Sequence, residues 1–513
     1  MTIIQIRNNS ILALLAFCLS SAAFAQGIPA DTTKPTPVDT ISMPAVKPIP
    51  LVGTLDRNLP MEKVITDSMI NFMNYRYAGD VAALMPGVFS RDFGSLGLLP
   101  IFSINGMGGK SVAYFSNGIL LNDPLTGLFN PYLYPTENAE RMEIVSGTRE
   151  FLYGLNSTGG AINFIDKSKK AIKPYSRLRY SESGYGFGIV DGMVSQDVIR
   201  RLNVTMGVQH TVYGQRLENE NYDCWNARVK ARYNINDNIN VFASEMYNQS
   251  LLGMFGGVDL NKTPDSLRYD VLQATVRNAE AYEKLDRHDV QIGAAARILP
   301  DSEAVGAVTL YYTSTVRGYR DPENRSSSNR INIDQWQHAR WFGMKLTQNL
   351  TALNQRFDFG ADLRTERVHL SPATSESSAT PLALWGKAEI TLLPVLILSP
   401  YGRYDGYRGQ RLLSYGGDLT APLHQNFKVY GGYSRSYRIP TYVERMGIDT
   451  LLSSALMDNE PERHHLIEAG FHWADNKWFS FEGKTFYRTI WNPITVGLQS
   501  RSDISAPYEF TRH

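Results

Sequence analysis

Hydrophobic and polar residues alternate along the chain from about residue 173 onward, in runs longer than those of an ordinary sheet. The clearest runs are Leu202–Gln209, Trp225–Ile235 and Phe357–Arg364. Residues two apart in a strand share a face, so each run has one apolar and one strongly polar face. Strands of about ten residues with this alternation are typical of a β-barrel embedded in lipid, whereas sandwich strands are usually about five or six residues long.

The connections between these runs alternate in length. Short polar turns such as Asn236–Asn238 alternate with longer polar segments such as Thr263–Glu283 and Arg320–Gln335. Short turns on one rim and long loops on the other favour an antiparallel barrel of the outer-membrane type. No apolar run after the first 25 residues is long enough for a membrane-spanning helix, since the longest, Leu392–Leu398, is short and contains Pro394.

Residues 63–172 lack this regular alternation and predict a separate small α/β domain. Tyr77–Leu84 predicts a short helix that ends at Pro86–Gly87. The predicted elements that follow are strands at Ile101–Ile104 and Val112–Phe115, a turn at Asn117–Gly118, a helical turn at Pro135–Ala139, and strands at Met142–Val145 and Ala161–Ile165. The alternating region then covers residues 173–513.

The first 62 residues predict two further segments. Residues 1–25 are typical of a secretory signal peptide, because Arg7 supplies positive charge, Ile11–Leu19 an apolar core and Ala23–Ala25 a small-residue cleavage pattern. Residues 26–62 contain repeated prolines, which prevent helix formation and sheet pairing. We therefore expect a flexible, extended linker over residues 26–62.

Composition narrows the classes of function. The 513 residues carry 51 basic and 50 acidic side chains, so nothing indicates a nucleic-acid partner. After removal of the leader, Cys224 is the only cysteine and no internal disulfide is possible. The remaining chain is too long for one ordinary core, which predicts at least two domains or a barrel with a domain inside it.

An ordered set of motifs in residues 63–172 resembles the plug domain of TonB-dependent outer-membrane receptors. Residues 139–147 resemble the family's Ile-Glu-Arg-Ile-Glu-Val run and its corner, 152–154 its Leu-Tyr-Gly, and 159–163 its Gly-Gly-Val-Ile-Asn. Ser146 and Thr148 replace the usual arginine and proline at the corner, which puts the usual salt bridging between plug and barrel in doubt. The motif residues are Pro86, Gly87, Asn117, Gly118, Glu140, Arg141, Glu143, Gly147, Tyr153, Gly154, Gly159, Gly160 and Asn163.

A second set of motifs, in the alternating region, resembles the barrel of the same family. Residues 433–441 are similar to its Ser-x-x-Phe-Arg-x-Pro-Thr segment, 460–470 to its Lys-Pro-Glu and Glu-x-Gly stretch, and 486–494 to its Phe-Tyr-Asn-Arg-Ile strand. The motif residues are Arg438, Pro440, Thr441, Glu444, Pro461, Glu462 and Tyr487. We interpret them as wall positions that shape the scaffold, and the residues that bind substrate are unknown at this point.

The resemblance implies a fold and a function. The fold is a transmembrane antiparallel β-barrel, nominally of 22 strands, with an N-terminal α/β plug domain inside the lumen. The implied function is uptake of a scarce small-molecule nutrient, such as a ferric siderophore or cobalamin, by a monomer in contact with outer-membrane lipid. The implied location is the cell outer membrane of a Gram-negative-type bacterium.

The resemblance also implies a partner, the periplasmic protein TonB with its inner-membrane energising complex. TonB pairs with an extended stretch, the TonB box, by strand addition. The nearest match in the linker is Asp39, Thr40, Ile41, Ser42 and Met43. A plain flexible tether is the alternative interpretation of these residues.

The alternating region is short for 22 strands. Its residues, 173–513, predict about 14 to 16 strands at about ten residues each plus connections. We therefore expect a truncated receptor whose C-terminal strands are missing. The alternative to a transporter is a non-transporting outer-membrane binding or adhesion protein, or an inactive remnant of such a receptor.

The sequence gives little support for a nucleotide-binding, metal-binding or catalytic site. Residues 106–111 end in Gly-Lys-Ser but lack the first glycine of a phosphate loop and precede a predicted strand. His464 and His465 are adjacent, so on a strand they point to opposite faces and cannot bind one metal together. No nucleophile, base and acid occur at a recognisable spacing, so we expect no enzyme activity, no cofactor and no metal.

One strand carries a basic face, formed by Arg228, Lys230 and Arg232. In a barrel this polar face points into the lumen. Two interpretations stay open: salt bridges to carboxylates of the plug, or attraction of an anionic ligand.

Overall fold

The computed structural model describes residues 53–56, 63–168, 174–199, 201–214, 216–270, 272–297, 304–322, 334–371, 375–446, 460–474, 479–498 and 508–512. Within these ranges the chain forms a small mixed domain, here called the plug, and a large antiparallel sheet, here called the wall. None of the helices in these ranges has the length and hydropathy needed to cross a bilayer.

The plug contains short strands and helices. Its strands are β1 (Val64–Thr66), β2 (Val88–Arg91), β3 (Ile101–Ile104), β4 (Met107–Gly108), β5 (Val112–Ser116), β6 (Ile119–Leu120), β7 (Ala139–Val145) and β8 (Gly160–Asp166). Its α-helices are α1 (Asp67–Ile70) and α2 (Ala78–Ala82), and 3-10 turns occur at Gly109–Ser111, Pro131–Leu133, Thr136–Asn138 and Glu150–Tyr153. Five strands form one sheet in the order β1-β7-β8-β5-β6, and β2-β3-β4 form a second.

The predicted plug elements are present, with one difference. The predicted helix over Tyr77–Leu84 is shorter in the structure and covers Ala78–Ala82. The chain turns sharply after it because Gly87 adopts φ +79°, a left-handed conformation that glycine accepts without steric cost. The carbonyl of Gly87 then accepts a hydrogen bond from the amide of Asn105 at 2.8 Å, which aligns β2 with β3.

The wall consists of long strands in chain order. They are β9 (Tyr175–Ser183), β10 (Phe187–Ile199), β11 (Leu202–Tyr213), β12 (Tyr222–Asn234), β13 (Ile239–Gly253), β14 (Tyr282–Arg297), β15 (Val305–Arg320), β16 (Asp334–Ala352), β17 (Gln355–Ser371), β18 (Ser375–Ala379), β19 (Leu382–Leu393), β20 (Leu396–Tyr407), β21 (Gln410–His424), β22 (Phe427–Arg438), β23 (Glu462–Ala474) and β24 (Ser480–Trp491). Helix α3 (Tyr442–Met446) lies between β22 and β23, and β25 (Ile494–Leu498) pairs separately with β26 (Tyr508–Arg512).

The wall is a 16-stranded sheet of antiparallel neighbours, which agrees with the 14 to 16 strands expected from the sequence. Short connections, at 353–354, 394–395 and 425–426, lie on one rim, called the short-turn rim. Long connections, such as 254–281 and 439–461, lie on the other, called the long-loop rim. Within the described residues β9 pairs only with β10 and β24 only with β23, so these two strands are not joined to each other.

The two faces of the wall differ as the alternation predicted. Asn203 and Thr205 of β11 are buried towards the plug, while their apolar neighbours along the strand are more exposed. Large apolar side chains are exposed on the outer face of many strands, for example Leu178, Val194, Ile292, Leu310, Phe342 and Ile467. An apolar outer face with a polar inner face is the pattern of a sheet that meets lipid on one side.

The principal hydrophobic core lies between the plug and one side of the wall. It joins plug residues such as Tyr77, Phe102 and Tyr132 to wall residues of β10–β13 such as Tyr222 and Met246. The rings of Tyr132 and Tyr222 meet edge to face with centroids 6.0 Å apart. The plug is therefore attached to β10–β13 by apolar packing.

Candidate functional site

The wall contacts the plug from one edge strand to the other, so it wraps around the plug. Many of these contacts come from polar side chains on the inner face. They join Arg177 and Arg179 of β9 to Glu137, Arg287 of β14 to the carbonyl of Leu121, Lys345 of β16 to the carbonyl of Gly118, Arg403 of β20 to the carbonyl of Leu152, and Arg488 of β24 to Glu150. The interface between plug and wall is the candidate functional site.

Residues 53–56 lie against β7 and β8 of the plug sheet and are held there by the plug motif. The side-chain amide of Asn163 donates to the carbonyl of Gly53 at 2.9 Å, and the amide of Leu55 donates to Glu143 at 3.1 Å. Asn163 also donates to Glu143 at 2.8 Å, and Arg141 pairs with Glu143 at 2.8 Å. Burial raises the pKa of Glu143, and these donors oppose that effect. Three residues of the plug motif, Arg141, Glu143 and Asn163, therefore hold residues 53–56 in place.

Asp56 connects this segment to the wall through a buried network of charges. Its carboxylate lies 2.8 Å from Nζ of Lys387 on β19 and 3.5 Å from Arg149 of the plug. The ammonium of Lys387 also lies 3.3 Å from Asp358 and 3.5 Å from Glu389, both on the wall. The side chains of Asp56 and Lys387 are each only 3% exposed, so water screens this pair poorly.

The corner at Gly147 forms a second polar connection between plug and wall. Thr148 and Arg149 both contact Asp418 on β21, through the threonine hydroxyl and the guanidinium. Gly147 adopts φ +93°, and a Cβ placed there would collide with the carboxylate of Glu468 on β23. The sequence departures at this corner therefore leave the salt bridging in place, with Arg149 as the cation.

Glu150 anchors the same corner to the last strand of the sheet. Its carboxylate accepts from the Gly147 amide at 3.1 Å and pairs with Arg488 of β24 at 2.7 Å. Burial raises the pKa of Glu150 to about 7, although Arg488 lowers it in part. Arg488 also donates to the carbonyl of Thr158, so one side chain ties two plug segments to the wall.

The barrel motif forms a charged cluster near the long-loop rim. Arg438 pairs with Glu462 at 2.6 Å and with Glu444 at 3.1 Å. Thr441 caps α3, because its hydroxyl accepts from the Glu444 amide while Glu444 accepts from the Thr441 amide at 2.8 Å. Lys110 of the plug pairs with Glu444 at 3.3 Å, which brings the cluster into contact with the plug.

Other motif residues also make contacts within the wall or within the plug. Pro440 accepts from Arg408 at 2.8 Å through its carbonyl, Pro461 directly precedes β23, and Tyr487 is 70% exposed on the outer face. Within the plug, Gly118 donates to Asn163 at 3.0 Å, and Asn117 and Glu140 make side-chain bonds to plug groups. Pro86 and Gly87 form the turn after α2, and Tyr153, Gly154, Gly159 and Gly160 lie in or next to β8 and the 3-10 turn before it. Asp39, Thr40, Ile41, Ser42 and Met43 lie outside the described residues.

The basic strand face has mixed partners. Arg228 of β12 pairs at 2.8 Å with Asp191 of β10, which lies two strands along the wall, and not with a plug carboxylate. Lys230 donates to the carbonyl of Asp166 of the plug at 3.3 Å. His464 is buried and lies 3.2 Å from Glu462, whereas His465 is partly exposed and meets Tyr433 at 2.8 Å, so the two histidines face opposite sides. No group of three or more metal-binding side chains lies close together within the described ranges.

Three cavities lie between the plug and the strands β15–β24. The outer cavity, about 110 Å³, opens towards the long-loop rim and is lined by Asp123, Asn156, Arg364, Asp405, Tyr407 and Thr441 among others. The middle cavity, about 60 Å³, shares Tyr153, Asp362 and Arg403 with the outer one. The inner cavity, about 240 Å³, lies towards the short-turn rim and is lined by Asp56, Arg149, Glu389, Asp418 and Lys428 among others.

Sequence reasoning did not single out Asp56, Arg149, Lys387, Asp418 or Arg488. Asp56 falls in the predicted linker, and the wall partners lie on ordinary alternating strands far away in sequence. Only Arg149 carried a signal, because it follows the altered corner of the plug motif. Long-range ion pairs leave no local pattern in a single sequence, so the structure was needed to find them.

Two family profiles match the chain. The profile described as TonB dependent receptor-like, beta-barrel, matches residues 247–507, and the one described as TonB-dependent Receptor Plug Domain matches residues 57–161. The first match alone spans more than half of the 513 residues.

Individual proteins show the same relationship. The vitamin B12 transporter BtuB of Vibrio vulnificus (strain YJ016) is 27% identical over 125 residues, which is 24% of this chain and only 19% of that protein's length. A mutant of the ferric enterobactin receptor PfeA from Pseudomonas aeruginosa, in complex with enterobactin, superposes with a TM-score of 0.71 at 14% identity, covering 88% of this chain and 76% of that one. The siderophore receptor PirA from Acinetobacter baumannii gives a TM-score of 0.68 at 14% identity, covering 88% and 74%. At such identities the structures establish the shared fold, and together with the two profile matches they show that the chain belongs to the family of TonB-dependent receptors.

Proposed function

We propose that this protein takes up a scarce nutrient, such as a ferric siderophore or cobalamin, across the outer membrane of a Gram-negative-type bacterium. The family consists of receptors and transporters, and its barrels lie in outer membranes. Short turns face the periplasm and long loops face outward in such barrels. The long-loop rim of this wall would then receive the nutrient.

The position of the plug is the observation that best supports this proposal. The wall contacts the plug from β9 to β24, through ion pairs and hydrogen bonds as well as apolar clusters. A plug held this way obstructs the lumen and also can be displaced, since charged groups released into water recover their hydration. Residues 53–56 are the described part of the plug nearest in sequence to the candidate TonB box, so a pull on residues 39–46 would reach them first.

The outer cavity is the proposed site of first contact with the nutrient. Its lining mixes carboxylates, Arg364, the amide of Asn156 and the ring of Tyr407. Burial raises the pKa of Asp123, which also lines this cavity. A polar lining with one aromatic side chain suits a large, polar chelate better than an apolar ligand.

Uptake by cells tests this proposal. The full chain is expressed in a bacterium that lacks its own receptors for ferric enterobactin and cobalamin, and binding and internalisation of both radiolabelled nutrients are measured. We expect internalisation of at least one, lost when residues 39–46 are deleted while binding persists. Deletion of residues 28–35, a linker stretch of equal length, is the matched control and should leave internalisation intact. Binding without internalisation by the intact chain would instead favour the non-transporting binding protein.

A further inference from the structure

Two arginines of the wall lie side by side on its outer face. Arg340 of β16 and Arg367 of β17 are directly opposite each other in the antiparallel register, and both side chains are exposed. Their neighbours along the strands, Ala339, Trp341 and Val368, are buried in an apolar cluster with plug residues. Because successive side chains of a strand point to opposite faces, both guanidiniums project away from the plug.

Neither arginine has a carboxylate partner within the ranges that the structure describes. Outer-face cations of the neighbouring strands do have one, since Arg320 lies 2.9 Å from Asp334 and Lys284 lies 3.9 Å from Asp286. Like charges that face each other across two strands destabilise a sheet. An anion between the two guanidiniums would therefore remove a repulsion as well as bind.

The position of the arginine pair along the strands matches the edge of an apolar band. From Arg367 towards the short-turn rim, the next outer-face residue is Thr365, and those that follow are apolar as far as Phe357. This stretch of about ten residues spans about 34 Å along the strand, or about 25 Å along the membrane normal at a tilt of about 40–45°. A lipid-facing barrel surface has an apolar band of about this height. The two arginines therefore lie at the margin of the band, on the side of the long-loop rim.

The groups around the arginine pair are polar on three sides. Four polar side chains surround it on the outer face, namely Ser314, His338, His369 and Ser378. Glu376 of β18 lies opposite His369, one outer-face position beyond the arginines. On the fourth side, towards the short-turn rim, Phe342 is 54% exposed and begins the apolar surface of β16. A ligand that suits this surface has an anionic group joined to an apolar one.

We propose that Arg340 and Arg367 bind a lipid of the outer leaflet whose headgroup carries a phosphate monoester. Two adjacent guanidiniums provide the donors for bidentate hydrogen bonds to phosphate oxygens. A phosphate monoester carries about 1.5 to 2 negative charges at neutral pH, which matches two arginines. The phosphodiester of an ordinary phospholipid carries a single charge and leaves one arginine uncompensated.

The acyl chains of the bound lipid lie along the apolar band that begins at Phe342. Basic side chains next to the apolar surface of a membrane protein are typical sites for anionic headgroups. The proposal depends on the position of the wall in an outer membrane, with the long-loop rim outward, and not on which nutrient is taken up.

Lipid binding by the purified full chain tests this site. The chain is stripped of lipid in a nonionic detergent, and added lipid is counted by native mass spectrometry. Dioleoyl phosphatidic acid, a phosphate monoester, is compared with dioleoyl phosphatidylglycerol, a phosphodiester with the same acyl chains. We expect the wild-type chain to bind phosphatidic acid about tenfold more tightly, and Arg340→Gln/Arg367→Gln to lose this preference.

Lipid A, an outer-leaflet glycolipid with two phosphate monoesters, is the third probe. The wild-type chain should retain at least one molecule of lipid A, and Arg340→Gln/Arg367→Gln should retain one fewer. The matched control is Lys284→Gln/Arg320→Gln, which removes two positive charges that already have carboxylate partners on the same face. It should keep both the preference and the retained lipid A. Arg340→Gln alone should weaken the preference in part, which covers the case in which the double variant does not fold.

The proposal is overturned if the wild-type chain binds the two phospholipids equally, or if Arg340→Gln/Arg367→Gln keeps the preference and the full number of lipid A molecules. It is also overturned if the control variant loses the preference to the same extent. Neither a nutrient nor TonB enters this experiment, so its outcome is independent of the uptake assay.

Discussion

Replacing Lys387 by methionine should weaken the attachment of residues 53–56 to the wall. The two side chains are similar in length, so packing is largely kept while the charge is lost. Nζ of Lys387 lies 2.8 Å from Asp56 and 3.3 Å from Asp358, and its side chain is 3% exposed. Removing one partner of a buried pair costs about 3–5 kcal/mol, because the other charge stays buried without compensation. The closed position of residues 53–56 should be weakened by an amount of this order.

Hydrogen exchange of the Leu55 amide measures this change, because that amide is bonded to Glu143 only while the segment is in place. A loss of about 3 kcal/mol corresponds to exchange about 100-fold faster. The Leu121 amide, bonded to the carbonyl of Tyr114 at 2.8 Å inside the plug, is the internal control and should not change. The paired variant Asp56→Asn/Lys387→Met should recover part of the protection, because it removes a buried carboxylate that would otherwise keep only the more distant cation Arg149, at 3.5 Å.

The expected weakening is refuted if the Leu55 amide of Lys387→Met exchanges within about threefold of the wild-type rate, because this ratio corresponds to a loss of protection of less than about 0.7 kcal/mol. It is also refuted if Leu121 accelerates as much as Leu55, since the whole plug would then have loosened.

Three further changes give distinct expectations for the free energy of unfolding of the purified receptor. Gly147→Ala should cost about 1–2 kcal/mol, because alanine would have to adopt a left-handed backbone and its Cβ would also meet a wall carboxylate. Gly154→Ala, at a position with an extended backbone and ordinary contacts, should cost little. Equal effects of the two substitutions would contradict this expectation. Glu150→Gln should cost about 3–5 kcal/mol, because it leaves the buried guanidinium of Arg488 without its carboxylate. Arg488→Met should cost less, because a carboxyl whose pKa is already about 7 can take up a proton once its cation is removed. The reverse order would refute the assignment. Burial alone would raise the pKa of Glu137, but its hydrogen bonds and the arginines of β9 outweigh burial and lower that pKa. This carboxylate therefore stabilises the fold above its unfolded pKa of about 4.3, and the contribution is lost as pH falls through the lower folded value. Glu137→Gln should flatten this acid dependence of the free energy of unfolding, and an unchanged pH profile would argue against the assignment.

The long alternating runs made most of the fold predictable. The strand over Trp225–Ile235 needs only local information, since one face must meet lipid and the other the lumen. The plug strand at Ile101–Ile104 was also predictable from local sequence, and the structure has a strand at those residues. The helix predicted at Tyr77–Leu84 is shorter in the structure. Tyr77 has an extended backbone, and the amides of Leu84 and Met85 bond to carbonyls three residues earlier, so the last predicted turn is tighter than an α-helix.

The functional interface was not predictable in the same way. Asp56 and Lys387 are 331 positions apart, and nothing near either residue indicates the other. Arg228 shows the same limit: its charge left open a salt bridge to a plug carboxylate or an anionic ligand, and the structure pairs it with Asp191 of β10, two strands along the wall. Which side chains meet across a lumen depends on the three-dimensional fold, and a single sequence contains no local pattern that identifies these pairs.

A plug that obstructs a lumen and is displaced by TonB makes entry of the nutrient depend on TonB. This dependence is measured as the internalisation of radiolabelled ferric enterobactin and cobalamin by cells that express the full chain, compared between a strain with TonB and a strain without it. We expect one nutrient to be bound equally by both strains and to enter only the strain with TonB. Entry at the same rate in both strains, or entry of neither nutrient from a panel widened to other iron chelates, would contradict it.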